Sequence, residues 1–253
     1  WKEHPVEADI VVGVPDSGID AALGLSHASG IPYGVGFIKN RYVGRTFIQP
    51  SQSQRTNSVK IKLNVIKEAV RGKRVILVDD SIVRGTTLKE SIIKILDRLH
   101  PRKIVIVSSS PQIRYPDYYG IDMARLEEFI AFRACIELLK ERGMHELTDD
   151  VYRRCKEEML KPKAEMTCRV KELYQPFTVD ELNRKMVEML RPEGVTTPIE
   201  LVYQSIEGLH TAIPNHKGDW YFTGNFPTPG GMKLVNQAFI NYYEKIYQYS
   251  TKF

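Results

Sequence analysis

The chain has 253 residues, of which 42% are hydrophobic and 26% charged, with a formal net charge of +5. That is enough apolar sequence to bury a core as one large domain or two small ones. The mild charge is spread along the chain and suits an anionic small molecule as well as nucleic acid, but no block of Lys and Arg interleaved with aromatics marks a nucleic-acid track. No apolar stretch reaches the length of a membrane span, and Trp1-Lys2-Glu3-His4 lacks the basic and apolar regions of a signal peptide. Starting at Trp1 rather than Met, the chain is expected to be a fragment or a processed product. Cys135, Cys155 and Cys168 form no C-x-x-C; an odd number of thiols in helical-looking sequence fits buried or half-buried reduced cysteines in a cytoplasmic protein.

In chain order, Ile10 to Val14 is an apolar run ended by Pro15 and reads as a buried strand. Asp16 to Ser29 reads as a helix closed by Gly30 and Pro32, and Tyr33 to Ile38 as a second strand. Residues 39 to 58 are polar, basic and long for a connection, which suits a lid or binding loop. Val59 to Val70 is predicted as a helix. Arg74 to Val78 is the clearest strand; Thr86 to Leu99 follows as a helix with Leu88, Ile92, Ile95, Leu96 and Leu99 on one face, and Ile104 to Val107 is another β-branched strand. Continuous Val/Ile/Leu strands alternating with helices predict an α/β fold, a doubly wound and mostly parallel sheet with ligands at the carboxyl ends of its strands. Pro15 to Gly18, Lys39 to Arg45 and Asp79 to Thr87 would then share one edge. The texture changes after about residue 123. Residues 1–130 are expected to form the core domain, and 131–253 a mostly helical C-terminal region packed on it. Leu201 to Ser205 and Ile206 to Ile213 read as a strand and a helix, and the closing helix carries Tyr242, Tyr243, Tyr247 and Tyr249.

The chemistry concentrates in VILVDDSIVRGTT, Val75 to Thr87. A buried strand delivers two carboxylates, Asp79 and Asp80, to its open end, and a short loop then leads into a helix. The start of that helix offers unpaired N–H groups and the positive end of a dipole, a seat for phosphate. Gly85 admits close backbone approach, Ser81, Thr86 and Thr87 supply hydroxyls, and Arg84 adds charge at the rim. Such a loop can hold a phosphate while the acid pair takes sugar hydroxyls. The familiar phosphate and dinucleotide loops do not account for it: there is no G-x-x-x-x-G-K-[ST], and Gly34-Val35-Gly36 lacks a third glycine at the right spacing.

This run resembles the 5-phosphoribosyl-1-pyrophosphate (PRPP) signature of type I phosphoribosyltransferases. VGVPDSGID (Val12 to Asp20), GFIKNRYVGRTFIQP (Gly36 to Pro50) and YGIDM (Tyr119 to Met123) further resemble the glutamine PRPP amidotransferase family. The similarity spans about residues 6 to 130 and resumes over 200 to 231 through YQSIEGL and YFTGNFPTPGG. The resemblance implies that ammonia displaces pyrophosphate from PRPP to give 5-phosphoribosylamine, the first committed step of purine synthesis. It places Asp79 and Asp80 on the ribose hydroxyls, and Ser81, Arg84, Gly85, Thr86 and Thr87 around the 5′-phosphate. Pro15, Asp16, Ser17 and Gly18 would face the pyrophosphate. Mg²⁺ is implied beside Ser17, Asp79 and Asp80, and Lys39, Tyr42 and Arg45 are implied as catalytic residues on a loop that closes over PRPP.

Two departures bear on that reading. The family's glutaminase domain uses an amino-terminal cysteine nucleophile, whereas the first cysteine here is Cys135, so that domain is expected to lie outside this chain as a partner. Where one branch of the family binds an iron–sulfur cluster through cysteines, this chain has Asp117, Gly218 and Tyr221, and no cluster is expected. A homo-oligomer is expected, without nucleic-acid or membrane partners. The competing functions are a PRPP-binding regulator without turnover and a phosphoribosyltransferase with a different acceptor. The role of residues 131–175 stays open at this point.

Overall fold

The computed structural model describes residues 1–39, 63–117, 119, 123–216 and 218–250, the last five of these through their backbone alone. Two compact units divide it: Trp1–Ser110 with Val187–Gln204, and Pro111–Met186 with Ser205–Phe253. The division thus falls at residue 110 rather than 130, and it returns a late segment to the first unit.

The first unit is built on a four-stranded parallel sheet in the order β1 (Ile10–Gly13), β4 (Arg74–Asp79), β5 (Lys103–Ser108) and β6 (Ile199–Tyr203). Val75, Ile76, Leu77 and Val78 are all at most 1% exposed, so consecutive residues are buried and both faces of β4 are covered. On one face, Ala22 and Leu25 of α1 (Gly18–Ser29) pack with Val11, Ile76, Val78 and Val105. At the strand starts, Asp9 accepts from the Arg74 N–H at 2.7 Å and from its guanidinium at 2.8 Å. Those Arg74 hydrogen bonds hold the Asp9 carboxyl down at about 2.

Two predicted elements differ. The run from Tyr33 yields one parallel bridge, Val11 with Tyr33, and then a short strand, β2 (Phe37–Lys39). Gly34 and Gly36 lie against the side chains of Ile10 and Val12, where a Cβ would come within 2.3 and 2.4 Å. The helix predicted over 59–70 begins outside the described residues. Leu63–Val65 is instead β3, antiparallel to β2, and only Lys67–Val70 (α2) is helical. The alternation of Leu63, Asn64 and Val65 has a period of two, and Leu63 is buried where Asn64 is exposed. Lys39 pairs with Leu63 at the end of this ladder.

After β4 the chain is helical from residue 86 to 97, with a π-helical turn over Leu88–Ile92 before α3 (Ile93–Asp97). Leu88, Ile92, Ile93 and Leu96 are buried. At its end, Asp97 ties down the approach to β6. Its Oδ1 accepts from Thr196 N at 3.3 Å, Thr197 N at 3.0 Å and Thr197 Oγ1 at 2.6 Å.

The second unit is helical: α4 (Ile130–Glu141), α5 (His145–Glu158), most of α6 (Val179–Leu190), α7 (Ile206–Ala212), α8 (Trp220–Thr223) and α9 (Pro229–Ser250). Two tyrosines of α9 make ring contacts within this unit: Tyr243 stacks on Tyr152 at 4.0 Å, and Tyr242 meets Phe132 edge-on at 4.8 Å. Glu158, 1% exposed, accepts from Lys161, Arg169 and the Thr167 N–H at 2.7 to 2.9 Å. Residues 131–175 therefore supply the packing of this unit. Cys135, Cys155 and Cys168 are all buried free thiols, and burial pushes Cys168 up to about 12. Among the described residues no helix is long and apolar enough to cross a membrane.

Burial pushes the Asp97 carboxyl up, but the hydrogen bonds from Thr197 and Thr196 outweigh it and leave the group below its ordinary value. Its stabilising contribution is present above about pH 4 and is lost as pH falls through the lowered value. We predict that Asp97→Ala, by leaving these donors unmatched, costs about 1–3 kcal/mol in chemical denaturation at pH 7. The loss should shrink in acid; an equal loss at pH 3 and pH 7 would contradict it.

Candidate functional site

The strand order puts a switch point beside β1. Val11 pairs with Ile76 of β4 across one edge and with Tyr33 across the other, so the chain leaves β1 to one side and returns on the opposite side. At such a point the two connections part and leave a crevice at the carboxyl ends of the strands. The two loops that line it are those from Pro15 to Gly18 and from Asp79 to Thr87.

The first loop is held against the end of β4. Val14 extends the ladder by donating its N–H to Val78 O at 2.8 Å, and Gly18 N–H donates back to Val14 O at 2.9 Å. A cis peptide joins Pro15 to Asp16. Gly18 is the point of closest approach: a Cβ there would lie 2.4 Å from Val78 O and 3.3 Å from Asp79 Cα. Every atom that a Cβ would meet there is backbone of Val78 or Asp79, which cannot yield by rotating, so the position accepts only glycine. Asp16 and Ser17 are exposed, and Asp16 forms an ion pair with Lys39 at the end of β2.

The second loop starts from a half-buried Asp79 and an exposed Asp80. Asp80 N–H donates to Asp79 Oδ1 at 3.0 Å. Ile82, 2% exposed, anchors the middle of the loop. Gly85 adopts φ +72°, a left-handed conformation that favours glycine, and its carbonyl accepts from Lys89 N at 2.9 Å to open the helix. Ser81 is half-buried, whereas Arg84, Thr86 and Thr87 are exposed. The structure thus brings Pro15, Asp16, Ser17 and Gly18 to the same edge as Asp79, Asp80, Ser81, Arg84, Gly85, Thr86 and Thr87, with Lys39 joined through Asp16. Tyr42, Arg45 and the proposed closing loop lie outside the described residues.

Sequence reasoning passed over a third loop. Ser109 N–H donates to Asp79 O at 2.9 Å, Ser110 N–H to Asp80 O at 3.1 Å, and Ser109 Oγ to Asp80 O at 3.1 Å. This loop buttresses the acid pair from behind. Its signal was the triplet Ser108-Ser109-Ser110, which begins on the last residue of β5, level with Asp79.

The three positions considered for an iron–sulfur cluster lie in the second unit. Tyr221 Oη donates to Asp117 Oδ1 at 3.0 Å, and Gly218 lies against the Trp220 ring. Burial, then the Asp117 bond, pushes the Tyr221 phenol up to about 12.

Burial pushes the Asp79 carboxyl up to about 7, and the hydrogen bond and charge of Asp80 push the same way. The folded protein therefore holds a proton that the unfolded chain has released between about pH 4 and 7. Stability from this group is full below about pH 4 and is lost as pH rises through about 7. We predict that Asp79→Asn raises stability at pH 8 by on the order of 1–2 kcal/mol, after discounting for solvent screening. At pH 4 it should change little. A variant less stable than the parent at pH 8 in thermal melts would contradict the burial argument.

Residues 2–138, more than half of the chain, match the family described as phosphoribosyl transferase domain. The amidophosphoribosyltransferase of Synechocystis sp. is 51% identical over 141 residues, covering 56% of this chain and 28% of that protein. That of Bacillus subtilis is 51% identical over 140 residues, covering 55% and 29%. Among solved structures, glutamine PRPP amidotransferase from B. subtilis complexed with ADP and GMP matches with a TM-score of 0.56 and 36% identity, covering 90% of this chain and 40% of that one. This chain thus spans well under half the length of the relatives it matches. With the acid pair, the glycine-held loop and the switch-point crevice all within the matched residues, the chain belongs to the phosphoribosyl transferase domain family.

Proposed function

We propose that this chain is the phosphoribosyl half of a glutamine PRPP amidotransferase, converting PRPP and ammonia to 5-phosphoribosylamine and pyrophosphate. The observation that carries this reading is the convergence of the Pro15–Gly18 and Asp79–Thr87 loops at one switch point. That crevice holds adjacent carboxylates on one wall and the start of a helix on the other. In the reaction the bond from C1 to the pyrophosphate oxygen breaks, and its electron pair leaves with pyrophosphate. A C–N bond forms to ammonia, and the nitrogen then loses a proton to solvent. Positive charge grows on the ribose as the bond breaks, and negative charge grows on the leaving group.

The residues divide accordingly. Asp79 and Asp80 hold the ribose hydroxyls and place negative charge beside the developing cation. The hydroxyls of Ser81, Thr86 and Thr87, the Gly85 backbone and Arg84 seat the 5′-phosphate at the helix start. Backbone N–H groups of Asp16 and Ser17 face the pyrophosphate, while Pro15 and Gly18, whose own N–H is taken by Val14 O, shape the turn that presents them. Lys39, already paired with Asp16, together with Tyr42 and Arg45 by their place in the family motif, offsets the charge of the leaving group.

Mg²⁺ fits the donor set. Burial, and then the neighbouring Asp80, oppose ionisation of Asp79, and a hard divalent cation relieves that cost. Asp79, Asp80 and the Ser17 hydroxyl would hold it, directly or through water, and it would neutralise pyrophosphate oxygens. Ammonia reaches the site from a glutaminase domain outside residues 1–253. We place the enzyme in the cytoplasm as a homo-oligomer.

The test is PRPP- and Mg²⁺-dependent pyrophosphate release with ammonium or glutamine as nitrogen source. Ammonium salts should support turnover and glutamine should not, with a rate that rises between roughly pH 7 and 9 as the amine loses its proton. Asp79→Asn and Asp80→Asn should each raise the barrier by about 2–4 kcal/mol. Glutamine-supported turnover would contradict the assignment. PRPP binding without turnover on either nitrogen source would point to a regulator instead.

A further inference from the structure

In the second unit, apart from the acid pair, three ligating side chains meet at the turn after α7. His210 sits in the last turn of α7, His216 in the turn that follows, and Asp219 immediately before α8. His210 Nε2 lies 3.1 Å from Asp219 Oδ2, and His216 Nε2 lies 3.8 Å from the same oxygen. The two imidazoles stack with centroids 4.1 Å apart and planes 13° from parallel. One ligand atom from each residue falls within 4.8 Å of the others, and all three side chains are half-buried, so the cluster is open to solvent.

Two of the three are oriented from behind. His216 Nδ1 lies 3.0 Å from the Ile213 carbonyl, which can only accept, so Nδ1 carries the proton. Nε2 is then the ring nitrogen that His216 turns toward Asp219. Thr223 Oγ1 shares its proton between the Asp219 carbonyl at 3.1 Å and Asp219 Oδ1 at 3.3 Å, leaving Oδ2 to face the imidazoles. Two ring nitrogens, at 3.1 and 3.8 Å, thus face one carboxylate oxygen, the convergence of donor atoms that a metal ion uses. A backbone carbonyl behind one ligand and a hydroxyl behind another are the kind of outer partners that metal ligands use.

We propose that His210 Nε2, His216 Nε2 and Asp219 Oδ2 bind a borderline divalent transition metal of the Zn²⁺ class, with the remaining coordination open to water. Two imidazoles and one carboxylate favour Zn²⁺, Co²⁺ or Ni²⁺ over Mg²⁺, which prefers oxygen alone. Metal–nitrogen distances of about 2.0–2.1 Å require the stacked rings to splay by small side-chain rotations. The exposed residues 211–215 between His210 and His216 leave room for that movement.

The experiment is titration of the whole chain with Co²⁺ in excess Mg²⁺, followed by visible absorption. Mg²⁺ occupies the oxygen donors at Asp79 and Asp80, so the signal reports imidazole ligation. A single Co²⁺ site is expected, weakened at least about 10-fold by His216→Ala, by Asp219→Asn and by Thr223→Val. Metal-free melting curves matching the parent would show that the variants fold. As a measurement that needs no variant, the His210 and His216 ring-nitrogen resonances of the parent should shift together on addition of Zn²⁺. Absence of a Co²⁺ signal, ring resonances that Zn²⁺ leaves unmoved, or binding undiminished in His216→Ala would each overturn the proposal.

Discussion

The approach of Gly18 to the end of β4 is the constraint on which the candidate site depends. Parallel pairing of Gly13 with Val78 brings the ends of β1 and β4 level, and the Val14 N–H extends that ladder by one bond. The chain must then turn away within four residues to begin α1, and the turn passes over the Val78 carbonyl. Only a residue without a side chain clears it, at the 2.4 Å that a Cβ would occupy. With that contact made, the loop after β1 is held against the start of the loop after β4.

The acid pair has a cost in stability. Asp79 is half-buried at the end of a strand whose preceding four residues are almost wholly buried, and its neighbour carries a like charge. The resulting upward shift to about 7 means that part of the folding free energy opposes ionisation near neutral pH. Strain of this electrostatic kind is concentrated where catalytic and binding groups are found. The serines after β5 accept none of that charge. They fix the backbone that carries it, through the carbonyls of Asp79 and Asp80.

Much of this was legible in the chain because the signals were local. β4 is a continuous apolar run, and its end and the loop after it place Asp79, Gly85 and Thr87 in a motif too long to arise by accident, so strand and family followed together. The strand after Gly36 and the segment 63–65 were read poorly, because short apolar runs satisfy helical and alternating periods alike. What decided Leu63–Val65 was pairing with Phe37–Lys39, a tertiary fact without a local signature. The Ser109 and Ser110 buttress was overlooked for a similar reason: the parallel register of β4 and β5 alone brings those residues level with the acid pair. The boundary at residue 130 followed composition. The sheet instead takes its fourth strand from Ile199–Tyr203, held by the grip of Asp97 on Thr196 and Thr197.

The central claim is that the loops after β1 and β4 form one PRPP site. Backbone hydrogen exchange measured with and without PRPP and Mg²⁺ tests it directly, because it reads both loops at once and requires no turnover. Bound PRPP should slow exchange in peptides covering residues 14–18 and 79–87 together. Protection of only one of these loops, or of neither while PRPP binds, would contradict the account.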